Sequence, residues 1–342
     1  LVRDGHRAPV ASAGGRLLPL LQEAGAEHVA LDIGRKSPLT LRHVAGLRRL
    51  FQRERPDIVH ARSRLPAWLG AMALRTMPGP RPHWVTTVHG LNSPGRYSRI
   101  MASGERVVCV SQTVRRYLMA NYRDLDPTRL VVVPRGIDPD VFRPDPRPVE
   151  EARAALLADV PALAGSGPLL LMPGRGTRIK GHADGIELLR RLHATGCPAR
   201  LWLLGAQVEG REAYLAELRA RATEAGVAEA LVITPPRNDI RDAYAAADLV
   251  LQLSRKPEAF GRTVLEALAM ARPVLGWDHG GVGELLAGLY PAGRVALGDL
   301  AALEAAVRQV LAQPPPTPAT IPFTLKAMQD ATLSLYDQLI HA

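Results

Sequence analysis

Two cysteines in 342 residues, Cys109 and Cys197, leave nothing from which to build a disulfide framework or a zinc site. That scarcity fits a reducing cytoplasm. Aromatic residues are also few, at 4% of the chain. Without an aromatic-interleaved basic stripe, stacking on bases has little support, and nucleic acid is not an expected partner. No apolar run approaches the roughly 20 residues that span a bilayer. The opening Leu1-Val2-Arg3-Asp4-Gly5-His6 carries charge rather than a signal-peptide core. Lysine is nearly missing: Lys36, Lys180, Lys256 and Lys326 stand against 39 arginines.

What is present describes a globular chain large enough for two domains: 47% hydrophobic residues, 22% charged, and a mean hydropathy of -0.02. The net charge of +10 is uneven. Residues 1–148 hold 24 basic and 12 acidic residues, whereas residues 149–342 hold 19 and 21. A basic first part suits an anionic partner such as a phosphorylated saccharide or an acidic membrane surface.

Short β-rich runs alternate with helical stretches. In the first part, strands are expected at 8–12, 28–31, 56–60, 84–90, 107–110 and 130–133. Helices are expected at 16–24, 41–55, 65–75 and after Ser111 to Asn121. The Pro-rich, charged stretch 134–148 reads as a linker. The pattern then restarts with strands at 169–172, 200–204, 231–233, 249–253 and 273–276. Helices at 183–194, 213–225, 240–246, 263–271 and 300–313 accompany them, and an amphipathic helix at 323–340 closes the chain. Such alternation predicts two doubly wound parallel sheets, with ligands at their strand ends. The expected domains are 1–148, 149–320 and a C-terminal helix in 321–342 packing back on the first.

Four segments of the second part carry candidate chemistry. Gly174-Arg175-Gly176-Thr177-Arg178-Ile179-Lys180-Gly181 follows a strand; its glycines admit a ligand to the backbone, and Arg175 and Lys180 can meet a diphosphate from two directions. Gly205 ends the next strand. Pro236-Arg237-Asn238-Asp239-Ile240 is a polar turn suited to a base edge. Residues 258–266 place Glu258 just outside a helix start and Glu266 in its second turn, around a positive dipole end that suits phosphate. Acid, anion cradle and second acid match a nucleotide sugar. By itself such a pair of glutamates is more often simply solvated.

Together these segments resemble the large family of retaining GT-B-fold glycosyltransferases (glycosyltransferase family 4-like, glycosyl transferases group 1). The matching elements are Gly174, Arg175, Lys180 and Gly181; Glu258, Phe260, Gly261 and Glu266; the loop Gly280-Gly281-Val282-Gly283-Glu284; and the linker Pro134-Arg135-Gly136-Ile137-Asp138. The stretches 59–64 and 84–94 look most like proteobacterial lipopolysaccharide-core enzymes. The resemblance implies an α/β fold of two Rossmann-like domains facing across a cleft, and a metal-independent hexosyl transfer with retention, with no cofactor beyond the nucleotide diphosphate sugar.

Its implied roles are specific. Arg175 and Lys180 hold the donor diphosphate, near Gly174 and Gly205. Glu258 binds sugar hydroxyls, and the backbone at Phe260 and Gly261 orients that sugar. Glu266 binds the ribose, Thr263 and Val264 approach the phosphates, and Arg237 and Ile240 flank the base. His89 faces the reacting sugar, and Arg62 and Arg64 touch the acceptor. Lys180 is a lysine where the motif asks for one, in a chain that elsewhere uses arginine. For His89 a structural role, and for Arg62 and Arg64 plain solvated charge, stay open; His6, His60 and His279 read as structural or loop residues. The resemblance further implies a lipid-anchored saccharide acceptor and peripheral contact with the anionic cytoplasmic face of the inner membrane. It also marks the start as lacking the family's first strand and Gly-rich loop. A sugar-nucleotide epimerase or phosphorylase, and a catalytically impaired nucleotide-sugar-binding protein, are the alternatives.

Overall fold

The computed structural model describes every residue except Arg16 and Ala342, so the first residue of the helix expected at 16–24 and the last residue of the 321–342 segment lie outside the described residues. Chain contacts divide into two units. One is Leu1–Val133 with the residues from Met328 on; the other is Pro134–Ala327.

The second unit is built on a six-stranded sheet. Its strands are β7 (Leu169–Pro173), β8 (Arg200–Leu204), β9 (Leu231–Thr234), β10 (Leu249–Gln252), β11 (Val274–Trp277) and β12 (Arg294–Val295). They lie in the order β12-β11-β10-β7-β8-β9, with every pairing parallel. Helices cover both faces, so the strands have no wet side, which explains why they read as unbroken apolar runs. Leu169, Leu170, Leu171, Leu201, Trp202 and Leu203 are all fully buried. The chain winds outward from β7 through β8 to β9, then returns to place β10 on the other side of β7. The β7–β10 junction is therefore the point where strand order reverses. In open parallel sheets, ligands bind beside such a reversal point.

The first unit holds two parallel sheets, not the single sheet expected. β1 (Val10–Ser12) pairs only with β2 (His28–Ala30), while β3 (Ile58–Ala61), β4 (His83–Val88), β5 (Arg106–Cys109) and β6 (Leu130–Val132) form a second sheet in that order. β1 and β2 are three residues each, and none of their residues is fully buried. The helix Leu325–Ile340 completes this unit's core: Leu335 and Leu339 pack with Val85, Val108 and Val133.

Several boundaries differ from expectation, each for a local reason. The stretch 134–148, read as a linker ending the first domain at 148, goes with the second unit. Ile137 donates to Phe323 O and accepts from Leu325 N, Phe142 meets the Tyr244 ring edge-on at 6.4 Å, and Arg147 reaches Asp242. A Cβ at Gly136 would lie 2.0 Å from Thr324 O, so this crossing tolerates only glycine. Val149–Leu156 and Gly280–Leu289 are helices that the sequence reading left out. The helix expected to reach Ala271 is Arg262–Ala269, because Ala271 turns left-handed at φ 54.

Candidate functional site: an ion pair at the strand-order reversal

The loop after β7 and the loop after β10 start from adjacent strand ends and are stitched together by backbone. Arg255 N donates to Ile179 O at 2.8 Å. Gly181 sits at φ 73 against Leu253 O, where an added Cβ would come within 1.8 Å. This close approach brings Lys180 Nζ to 2.6 Å from Glu258 Oε1, each side chain about one-quarter exposed. Ser254, itself buried, lies 2.5 Å from the same carboxylate oxygen and 3.0 Å from Gln252 Oε1. The two residues singled out as a cation and a sugar-binding acid thus meet at the reversal point of the sheet.

Glu258 is held by its backbone as well. Gly281 N donates to Glu258 O at 2.7 Å, and His279 Nε2 lies 2.6 Å from Ser254 O. A Cβ on Gly281 would come 2.5 Å from the Phe260 backbone, and one on Gly280 within 2.9 Å of Glu258 N and O. The glycines that make residues 280–284 look like a loop let the helix Gly280–Leu289 seat directly on the Glu258 segment. Arg255 anchors the loop from the other side. Its guanidinium forks onto the buried Asp184 carboxylate, which also accepts from Trp277 Nε1 at 3.3 Å. Pairing with Asp184 raises the Arg255 pKa further. Neither Ser254, Gln252, His279 nor Asp184 was singled out from sequence as a site residue. The double glycine was their one visible signal.

The remaining predicted residues take definite places. Gly174 and Gly205 end β7 and β8 side by side, Gly174 N donating to Leu204 O and Gly205 turning at φ 84. Arg175 is exposed and makes no side-chain bond among the described residues, whereas Arg178 is committed to Glu217 and the Tyr214 ring face. Phe260 is buried, and Gly261, at φ 102, is the N-cap of Arg262–Ala269, with Thr263 and Val264 in its first turn.

Glu266 is buried rather than solvated. Tyr244 Oη donates to its Oε2 at 2.8 Å, and Arg262 to its Oε1 at 2.6 and 3.0 Å. Burial, followed by the Glu266 charge, drives the Tyr244 pKa far up, so its hydroxyl stays a donor. Arg237 forks onto Asp239 and also reaches Asp159 at 2.9 Å, while Ile240, half-buried, opens a short helix beside it.

In the first unit, Arg62 and His89 leave the ends of the neighbouring strands β3 and β4, and Arg62 Nε donates to His89 Nε2 at 3.2 Å. Arg64 instead turns to Ser98 Oγ and the Tyr97 ring. His60 faces inward, with Nδ1 2.5 Å from Tyr336 Oη and Nε2 2.5 Å from Thr87 Oγ1, as a structural histidine would.

Burial lowers the pKa of both His60 and His182 to about 4, helped by the nearby charges of Arg62 and Lys180 respectively. Both are neutral in the folded chain, while the unfolded chain takes up these protons near pH 6.5. Their contribution is therefore complete above pH 6.5 and is lost as pH falls from there through 4, costing up to about 3 kcal/mol for each. Urea unfolding at pH 7 and pH 4.5 is expected to show this drop. An unchanged pH dependence in His60→Gln/His182→Gln would assign it to other groups.

Among the described residues no helix is long and apolar enough to cross a membrane, and no cluster of three or more metal-ligating side chains is found. Residues 1–141 match the family model for Glycosyltransferase Family 4, and residues 157–321 the model for Glycosyl transferases group 1. A D-inositol 3-phosphate glycosyltransferase of Xylanimonas cellulosilytica is 30% identical over 242 residues, 66% of this chain and 56% of that protein. The chain spans about half the length of the curated relatives it matches. Among solved structures, a glycosyltransferase of Rickettsia africae aligns with a TM-score of 0.81 at 24% identity, over 99% of this chain and 92% of that one. Anabaena Alr3699/HepE, crystallised with UDP-glucose, aligns at 0.76 and 20% identity, over 99% and 91%. The fold is that of these glycosyltransferases, and with its two parts matched in sequence by the two models, the chain belongs to the group 1, family 4-type glycosyltransferases of GT-B fold.

Proposed function

We propose that the chain transfers a hexose, with retention of anomeric configuration and without a required metal, from a nucleotide diphosphate sugar to a lipid-linked saccharide of the cell envelope, such as a lipopolysaccharide core. The observation that carries this is the Lys180–Glu258 pair at the β7–β10 reversal, beside the glycine-opened start of Arg262–Ala269. A diphosphate entering there meets a lysine that exchanges the Glu258 carboxylate for phosphate oxygens, and an exposed arginine, Arg175. Freed from Lys180, Glu258 accepts from sugar hydroxyls while Ser254 holds it in place. Glu266 serves the ribose, and Arg237 and Ile240 border the base. The cations take up the negative charge that develops as the sugar–phosphate bond breaks. His89 and Arg62, together on the first unit's strand ends, serve the reacting sugar and the acceptor. UDP is the preferred nucleotide, on the strength of the Anabaena relative's bound UDP-glucose.

The excess of 12 basic residues in the first 148 favours a phosphate-bearing acceptor and contact with an anionic membrane surface on the cytoplasmic side. A second acceptor, a soluble inositol phosphate, is favoured by the named activity of the Xylanimonas relative. UDP-, GDP- and ADP-hexoses incubated with each acceptor, in the presence of a chelator, test the reading. Release of free UDP together with an α-linked product from an α-linked donor is the expected result. Inversion would make it an inverting transferase, and donor turnover without any acceptor would replace it with an epimerase or phosphorylase.

A further inference from the structure

The first unit contains a cavity of 380 Å³ that none of the residues assigned above lines. It lies toward the opposite end of the sheet from His89 and Arg62, which follow the carboxyl ends of β4 and β3. Arg75 ends the helix Arg64–Arg75, Ser103 precedes β5, and Arg129 immediately precedes β6, so the cavity is bounded at the amino ends of these parallel strands. Its volume is within the range of small-molecule sites.

Four arginines line it, Arg75, Arg96, Arg99 and Arg129, against one carboxylate, Asp124. Two are committed: Arg99 pairs with Asp124 and lies over the Tyr122 ring, and Arg129 donates to Gly104 O. The side chains of Arg75 and Arg96 make no hydrogen bond or ion pair among the described residues, although both face the same cavity. Behind the arginines the wall is apolar, formed by Met72, Ile100 and the Trp68 ring, whose Nε1 is already satisfied by Tyr97 O at 3.0 Å. Two uncommitted guanidiniums at the edge of an apolar wall match a ligand with an anionic, fork-accepting head and a hydrophobic body.

We infer that this cavity binds an anionic, phosphomonoester-bearing amphiphile, held by Arg75 and Arg96 through its phosphate and by the Trp68–Met72–Ile100 wall through its apolar part. The site is separate from the donor site, and the inference stands whether or not the transfer reaction proposed above is correct. Asp124 competes for the same positive charge through Arg99, so it weakens the ligand's hold.

Titration calorimetry with monomeric dihexanoyl phosphatidate, glycerol 3-phosphate and dihexanoyl phosphatidylcholine tests this. Saturable binding of the phosphatidate is expected, at least about tenfold tighter than either of the other two. Arg75→Gln/Arg96→Gln is expected to weaken it about tenfold or more, and Asp124→Asn to tighten it several-fold, a gain that a merely destabilised variant would not show. UDP affinity should be unchanged in both variants, which separates this site from the donor site. Equal binding of glycerol 3-phosphate would overturn the apolar half of the inference and leave a soluble phosphoester as the ligand. No phosphatidate binding, or binding indifferent to both variants, would overturn it altogether.

Discussion

Lys180→Ala is expected to lower nucleotide diphosphate release by about 10²–10³-fold in kcat, the usual cost of removing one charge-stabilising donor from an active site. Its effect on folding should be small. The Lys180–Glu258 pair is about one-quarter exposed on each side, and partly solvated pairs contribute about 1 kcal/mol or less. The variant should therefore unfold within a few degrees of the parent while losing nearly all turnover. Lys180→Arg should recover little. Glu258, with Ser254 on the same oxygen, meets the compact point charge of an ammonium, whereas a guanidinium presents a wide planar fork and places its charge differently. Glu258→Gln tests the partner: it keeps the contact with Ser254 but removes the charge that holds Lys180 back. Donor affinity is then expected to rise or hold while kcat falls, because sugar hydroxyls lose their strong acceptor. Wild-type turnover in both Lys180→Ala and Glu258→Gln would move the chemistry away from the β7–β10 junction.

Lys180 and Glu258 could be placed at one sheet edge from sequence because each follows a strand, and the strands alternate with helices of ordinary length. Parallel strands deliver their following loops to one edge, so both motifs are expected there. That β7 and β10 are neighbours comes from the structure, and the joint role of the two motifs from the family resemblance. What surrounds them could not be read that way. Asp184 and Arg255 are 71 residues apart, and nothing in either local sequence signals the other. The role of Arg255 is to tie down the loop that carries Glu258. Residues 280–284 read as a loop because glycine is a poor helix former. They form a helix because only glycine allows that helix to approach Phe260 closely. Arg237, picked as a base contact from its turn, spends its fork on Asp239 and Asp159, one beside it and one 78 residues away. The split of the first unit into two sheets escaped for another reason: strand periodicity shows that β1 and β2 exist, not which strands they pair with.

Glu266 separates a structural from a binding role most sharply. Its carboxylate is buried, with Tyr244 on one oxygen and Arg262 on the other. Glu266→Ala leaves the Tyr244 hydroxyl, itself fully buried, without an acceptor, which costs about 1–3 kcal/mol. Tyr244→Phe removes the donor instead and leaves Oε2 of the buried carboxylate unpaired while Arg262 still holds Oε1, so its loss should also be about 1–3 kcal/mol. If Glu266 also binds the ribose of the donor, the two variants diverge in a second measurement. Glu266→Ala should raise the donor KM at least about tenfold, consistent with losing hydrogen bonds to a charged acceptor, while Tyr244→Phe should leave it within about twofold. Arg262, more than half exposed, can release Oε1 when a hydroxyl arrives, so the pre-formed pair does not block this role. Equal donor KM in both variants, with only the losses of stability, would confine Glu266 to tying the helix Arg262–Ala269 to Tyr244 of the short helix Ile240–Ala246. The donor clamp would then rest on Arg175, Lys180 and Glu258 alone.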